Sequence, residues 1–255
     1  MRRFAAWLVV GAALVLSGCP ARVPVVSPTG VTAGTLLEGV EVRRAATTSL
    51  RARARLRSGL AGVWAREAVV VRRPRGVRVD VLSPFGLALA LGTDGTVLWA
   101  YPPDEGVRYE GPATPDNLSR FLGAPVRVDD LVDILLGVPP ARRPVSPPVL
   151  RRPEQAFYRV DLPHTEGLQA LWFTSDNLEL QRAEEWRGDR LLLRVRFGDY
   201  RDAFPHSIDV EAPRTGVAAN LRYGEIERNA VVDGAVFAPP PARQSLPIDG
   251  VRVSH

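Results

Sequence analysis

The residues able to do chemistry are few. The 255-residue chain holds one cysteine (Cys19), three histidines (His164, His206, His255) and a single methionine, and all 33 of its basic residues are arginines, set against 28 acidic ones for a formal charge of +5. A lone cysteine cannot build a disulfide framework within the chain, and three dispersed histidines do not make a multi-histidine metal site. Pro205-His206-Ser207-Ile208-Asp209 gathers His, Ser and Asp, but neighbours along a strand face opposite sides, so this segment alone cannot form a triad. The acid pair Asp129/Asp130 suits a helix N-terminus, and Glu184/Glu185 suits a strand edge beside Arg187. His164 follows a proline with no second ligand near it in sequence, and no glycine-rich loop is present to cradle a phosphate. The expectation is a protein that is not an enzyme and takes no metal or cofactor. The mild positive charge is not a nucleic-acid footprint. At 45% hydrophobic and 24% charged residues, the chain can bury a core.

The N-terminus points to a compartment. Met1-Arg2-Arg3 is a positive leader, and the apolar run Phe4 to Leu16 is short for a membrane span and the right length for an export signal. The Leu16-Ser17-Gly18-Cys19 segment that follows resembles the bacterial lipobox, which implies cleavage before Cys19 and acylation of its thiol. Each buried methylene of such acyl chains contributes about 0.8 kcal/mol, so two or three chains hold a protein on a bilayer. Residue 20 is Pro, not the Asp that retains enterobacterial lipoproteins in the inner membrane, so the resemblance favours the periplasmic side of the outer membrane. Prolines at 20, 24 and 28 exclude a helix and read as a tether. The expected organisation is a signal peptide over 1–18, an acylated cysteine and tether over 19–34, a folded domain over 35–238 and an irregular tail over 239–255.

The elements that must position any site follow from periodicity. Leu36, Leu37, Val40 and Arg43/Arg44 space as one helix over 35–46. The period then falls to two: Leu50, Ala52, Ala54 and Leu56 alternate with Arg51, Arg53, Arg55 and Arg57, a strand with one apolar face and one arginine face. That arginine row is either a solvated outer surface or a phosphate-binding stripe. Further strands are expected over 64–72, 77–82, 87–91, 96–101 and 107–110, separated by Gly/Pro turns, as an antiparallel meander. Thr114 then caps a helix with Pro115 at its first position and Gly123 at its end, presenting Leu118, Phe121 and Leu122. Asp129 caps a second helix that presents Leu131, Ile134 and Leu135 and ends at Gly137. The proline-arginine stretch 139–153 is expected to be a mobile loop, and strands resume over 157–162, 169–174, 178–186, 191–200, 207–211 and 217–227. Strands, two helices and strands again make an α+β fold, in which a curved sheet holds helices against its concave face.

Val79-Asp80-Val81-Leu82-Ser83-Pro84-Phe85-Gly86-Leu87-Ala88-Leu89-Ala90-Leu91, then Arg108-Tyr109, a short helix, and Val132-Asp133-Ile134-Leu135-Leu136-Gly137-Val138-Pro139 resemble the LolA/LolB family of lipoprotein carriers and receptors, most nearly its outer-membrane receptor branch. The resemblance follows element order over roughly 35–236; the stretch 139–153 and the C-terminal tail depart from it. It implies an incomplete antiparallel β-barrel with a short-helix lid over an apolar cavity that carries acyl chains. It further implies a loop, here Pro84, Phe85 and Gly86, that enters the membrane during delivery. On this reading the strands line the cavity with Val77, Val79, Val81, Leu87, Leu89, Leu91, Trp99, Trp172, Leu191 and Leu193, and the lid supplies Leu118, Phe121, Leu122, Leu131, Ile134 and Leu135. The expected partners are a membrane through the acyl groups of Cys19, lipoprotein or lipid cargo and a periplasmic carrier protein, with the chain itself a monomer. The alternative is a structural envelope lipoprotein with a filled barrel, whose arginine-rich surface binds a partner or anionic lipopolysaccharide.

Overall fold

A computed structural model of the chain describes residues 30–58 and 64–250. The expected signal segment, Cys19 and the residues of the expected tether before Gly30 lie outside them, as do 59–63 and 251–255. Helix α1 (Ala33–Ala46) begins two residues before the spacing predicts. Thr32 accepts from the Thr35 amide while the Thr35 hydroxyl accepts from the Thr32 amide, so threonine fills both halves of a capping box. Six strands follow: β1 (Ser49–Ser58), β2 (Trp64–Arg72), β3 (Gly76–Ser83), β4 (Gly86–Thr93), β5 (Val97–Tyr101) and β6 (Val107–Pro112). Helices α2 (Pro115–Leu122) and α3 (Val128–Leu135) interrupt, and seven strands complete the meander. These are β7 (Val149–Glu154), β8 (Phe157–His164), β9 (Gly167–Thr174), β10 (Leu180–Arg187), β11 (Arg190–Arg201), β12 (Phe204–Ala212) and β13 (Val217–Arg228). A last strand, β14 (Gln244–Pro247), pairs parallel with β6, and all other pairs are antiparallel.

The described residues form one sheet in the order β14-β6-β5-β4-β3-β2-β1-β13-β12-β11-β10-β9-β8-β7. It is strongly curved and unclosed, since β7 and β14 do not pair with each other. The seam between the two meanders is β1 against β13, where a bulge places two residues of β13 (Gly224 and Glu225) opposite Arg53 and sharpens the bend.

The alternation predicted for β1 holds: Leu50, Ala52 and Ala54 are buried on the concave face, and Arg51, Arg53, Arg55 and Arg57 stand exposed on the convex one. One continuous core fills the concavity, drawing Leu36 and Val40 from α1, Val132, Ile134 and Leu135 from α3, and Val69, Val71, Phe173, Phe197, Phe204 and Tyr223 from the strands. Among the described residues its buried members lie between Leu36 and Ile248, so a chain starting at Gly30 carries all of them.

Three expectations are corrected. The second helix has no Asp129 cap: Arg127 occupies the cap position without a side-chain bond, and Asp129 binds Arg75 at 2.8 Å. The 139–153 stretch is not a free loop, because Val149–Glu154 is the edge strand β7 and the residues before it are pinned by ions. The Arg142 side chain, 9% exposed, reaches Asp130 at 2.8 Å and Glu185 at 3.2 Å, and the Ala141 amide donates to Asp133 at 2.9 Å. The tail from 239 is not wholly irregular either. It covers the β6 edge as β14 and returns Ile248 to the concave core, protecting an edge that would otherwise template pairing.

Asp133 is the junction of this arrangement. Its carboxylate meets Arg44 of α1 at 2.5 Å and Arg73 of the β2–β3 turn at 2.6 Å, and Arg44 also donates to the Pro139 carbonyl at 2.8 Å. Removing one partner of a buried ion network strands the others without compensation. Asp133→Ala is therefore expected to cost about 3 kcal/mol of unfolding free energy by denaturant titration, whereas Asp129→Ala, which loses only an exposed pair, is expected to cost under about 1 kcal/mol.

Candidate functional site

The concave face is where an apolar ligand could be held. In the half built by β3, β4 and β5, Val77, Val79, Leu91 and Leu98 face Leu118, Phe121 and Leu122 of α2 and Leu131 of α3 across a gap of about 60 Å³. That is room for about two water-sized groups, and its lining is almost wholly apolar.

The two helices over the gap are held very differently. α3 buries Val128, Asp130, Val132, Asp133, Ile134 and Leu135, and the buried Tyr223 hydroxyl donates to the Leu135 carbonyl at 2.9 Å. Burial raises the pKa of that phenol, keeping it a donor. α2 buries only Leu118, with Phe121 and Leu122 half covered. Among the described residues no ion pair involves α2. Its side-chain bonds reach only Pro112 and Asp249 outside the helix. Thr114 caps its start, and Gly123 ends it in the left-handed conformation (φ 70°). Of the expected lid residues, Leu118, Phe121, Leu122 and Leu131 thus line the gap, whereas Ile134 and Leu135 are fixed in the core.

The strand residues divide in the same way. Val77, Val79 and Leu91 line the gap, Leu193 packs on the core near β10, and Val81 and Leu89 continue the concave face beyond the helices, half-buried. Trp99 lies on the convex face: its indole donates to the Phe237 carbonyl at 2.8 Å and packs over Gly92, where a Cβ would come within 2.3 Å of the ring. Strand parity puts Trp99 opposite in face to Leu98; treating it as a cavity residue follows from hydrophobicity alone. Trp172 is likewise convex, sandwiched by Arg159 and Arg182, whose guanidinium carbon is 3.9 Å from the ring centroid. Leu87 pairs with Leu82 on the convex side of the β3–β4 hairpin, and Leu191 lies past a β10–β11 bulge and outside the core.

That hairpin ends in Ser83-Pro84-Phe85-Gly86. The Ser83 hydroxyl accepts from the Phe85 amide at 3.2 Å and donates to the Gly86 carbonyl at 3.1 Å. Gly86 takes φ 121°, a backbone angle L side chains avoid. The turn thereby projects Phe85, which is 100% exposed, with Leu82 and Leu87 beside it at 42% and 37%.

Two polar features escape sequence reasoning. Asp130, Arg142, His164, Glu185 and Gln169 converge at the far end of the concavity, beside a cleft of about 660 Å³. Burial raises the Glu185 carboxyl, and Arg142 opposes that shift. Glu184, its sequence neighbour, faces the convex side and binds Arg194 at 2.9 Å, so the pair is not one edge feature beside Arg187. The second feature is Glu67, buried on the concave face in register with Ala54 and Val81, one strand from Tyr223. His206 points to the concave side against Phe204 while Asp209 bonds Asn220, so that segment brings no triad together. No cluster of three or more His, Cys, Asp or Glu among the described residues is placed to hold a metal ion, and no described helix is long and apolar enough to cross a membrane.

Solved structures share this architecture. A LolA superfamily protein from Nitrosomonas europaea superposes with a TM-score of 0.54 at 20% identity, covering 82% of this chain and 98% of that one. The chain has the LolA fold. A DUF1329 family protein from Desulfovibrio piger matches at TM-score 0.53 and 12% identity over 81% of this chain and 95% of its own. A domain assigned as an outer membrane lipoprotein-sorting protein from Vibrio parahaemolyticus matches at 0.51 and 14%, over 81% and 97%. No protein-family model and no curated protein matches the sequence. The LolA-like sheet here carries its covering helices on the concave face, as the resemblance implies.

Glu67 makes the concave face sensitive to pH. Desolvation pushes its carboxyl up from 4.5 to about 7, so the folded state binds a proton that the unfolded chain releases between those values. Stability present below pH 4.5 is therefore lost as pH rises through about 7, by an amount on the order of 3 kcal/mol. Glu67→Gln, which cannot ionise, is expected to match the parent near pH 4.5 and exceed it at pH 8 in denaturant titrations.

Proposed function

We propose that the chain is an envelope lipoprotein that shelters acyl chains of lipoproteins or lipids beneath α2 and releases them at the outer membrane. The observation that carries this reading is the contrast between the two helices over the apolar gap: α3 is locked by ions and α2 rests on three apolar side chains. At about 60 Å³ the gap holds no acyl chain, so cargo enters only if α2 lifts. Exposing Leu118, Phe121 and Leu122 costs on the order of 4–6 kcal/mol. Burying about ten methylenes of cargo contributes about 8 kcal/mol. Cargo therefore offsets the opening, and no nucleotide need be hydrolysed. The same balance lets a bilayer, which buries every methylene of the chain, take the cargo back.

The lipobox resemblance at Cys19 supplies the anchor, and Pro20 favours the outer membrane. Phe85 would enter the acyl region during release, giving an exposed aromatic a destination. A similarly folded structure is assigned as a lipoprotein-sorting domain, which supports the choice of cargo. A periplasmic carrier would hand that cargo over. On this reading the chain is a carrier whose task calls for no catalysis and no cofactor.

Two variants separate holding from release. In a chain starting at Gly30, a fluorescent fatty acid displaced by palmitate measures holding. Leu91→Trp, which plugs the gap from β4, is expected to lower that affinity at least about tenfold with the far-UV spectrum unchanged. Phe85→Glu should leave affinity intact and slow transfer of the fatty acid to vesicles. No displaceable binding by the parent chain sinks the reading and leaves the filled-barrel alternative.

A further inference from the structure

The convex face divides into two halves. Near the C-terminal segment it is covered: Ala230, Val232 and Phe237 pack there, Arg78 is held by Asp80 at 2.9 Å, and Arg72 donates to the Val232 carbonyl at 2.8 Å. Toward the hairpin end no such cover is present among the described residues. One cross-strand row there runs Ser207–Arg222–Arg55–Arg66–Leu82–Leu87 through β12, β13, β1, β2, β3 and β4. Three arginines stand side by side on neighbouring strands, all exposed, and the row contains no carboxylate. Arg222 donates only to the neutral Asn220 amide oxygen at 3.2 Å. Arg55 and Arg66 have no ion-pair or hydrogen-bond partner among the described residues. Facing cations at cross-strand spacing repel one another, and an anion placed between them reverses that sign. The side chains frame an open hollow of about 570 Å³ with Leu82 on its rim, and the one exposed carboxylate of its lining, Glu225, is paired with Arg53 at 3.5 Å.

We infer that Arg55, Arg66 and Arg222 form a docking surface for the phosphate groups of an anionic lipid bilayer. The charge complement alone would suit any polyanion; the register decides for a membrane. The arginine row runs directly into Leu82 and Leu87, and from them to Phe85, fully exposed at the tip of the same hairpin. Guanidinium groups at the headgroup level beside apolar side chains at the acyl boundary are what an interfacial contact requires. Nucleic acid offers nothing to the apolar half. This surface deepens the delivery reading and rests on it for the role of the hairpin. Arginine contacts set the protein's orientation, and Phe85 sets its depth.

The test is co-sedimentation of the Gly30-start chain, without cargo, on vesicles of phosphatidylglycerol with phosphatidylcholine and on phosphatidylcholine alone. The expected result is binding to the anionic vesicles that weakens with salt, and that falls about 100-fold in the triple variant Arg55→Gln/Arg66→Gln/Arg222→Gln. Thermal unfolding is expected to be unchanged or raised in that variant, since the substitutions relieve like-charge contacts. A control variant, Arg187→Gln/Arg190→Gln/Arg201→Gln, removes the same charge elsewhere and is expected to bind as the parent does, apart from a small uniform loss. Equal binding by parent and triple variant overturns the inference, as does equal loss in both arginine variants. Binding competed away by a short DNA duplex as readily as by anionic vesicles also overturns it, assigning the row to polyanions in general. The fatty-acid displacement assay is read separately, so a failed cavity and a failed docking surface give different results.

Discussion

Everything in this molecule depends on covering the concave face of a sheet that does not close. A curved sheet of fourteen strands with unpaired ends exposes an apolar trough that water would penetrate. The described residues cover it with three α-helices and hold two of these by charge. Asp133 joins α1, the β2–β3 turn and α3 through Arg44 and Arg73, and Asp130 with Glu185 grips Arg142 of the following segment. Ion pairs of this sort are a costly way to stabilise a protein, since apolar residues of the same volume often do as well. Their effect here is positional: they fix where α3 can be, whereas no ion pair among the described residues holds α2.

That asymmetry gives the trough its chemistry. A cover held throughout by ions would make a sealed core, and one held throughout by a few apolar side chains would leave the trough open to water. With α3 fixed and α2 resting on Leu118, Phe121 and Leu122, the opening cost falls on the same scale as the gain from burying an acyl chain. The convex face follows a parallel division. The C-terminal segment shields Trp99 and the apolar half, and the arginine row remains where the Phe85 hairpin projects.

Much of this was legible in the sequence, for identifiable reasons. Period-two alternation with a residue as extreme as arginine on every other position located β1 and its faces, and Thr114, Pro115 and Gly123 bounded α2 with standard capping chemistry. Legibility stopped where a residue's face depends on bulges or on distant partners. Leu191 and Leu87 fall beyond bulges that reset the alternation. Trp99 and Trp172 are apolar by composition yet convex by parity, each satisfied by contacts from far along the chain or by arginines on its own face. Reading 139–153 as mobile neglected that an arginine in a proline-rich stretch can be buried if two carboxylates wait for it, and Asp130 and Glu185 come from elements far apart in sequence. Glu67 gives no signal of its own: a single acid in a strand reads as surface until register places it beside Ala54, one strand from Tyr223.

The unequal hold on the two helices is open to direct observation by amide hydrogen exchange on the Gly30-start chain, with and without a palmitoylated peptide. Residues 115–122 are expected to exchange by local opening well before 128–135, and the peptide is expected to change protection at α2 and the facing strands β3 to β5 while α3 stays protected throughout. Slow exchange of both helices together, unaltered by the peptide, would contradict it and make the trough an ordinary core.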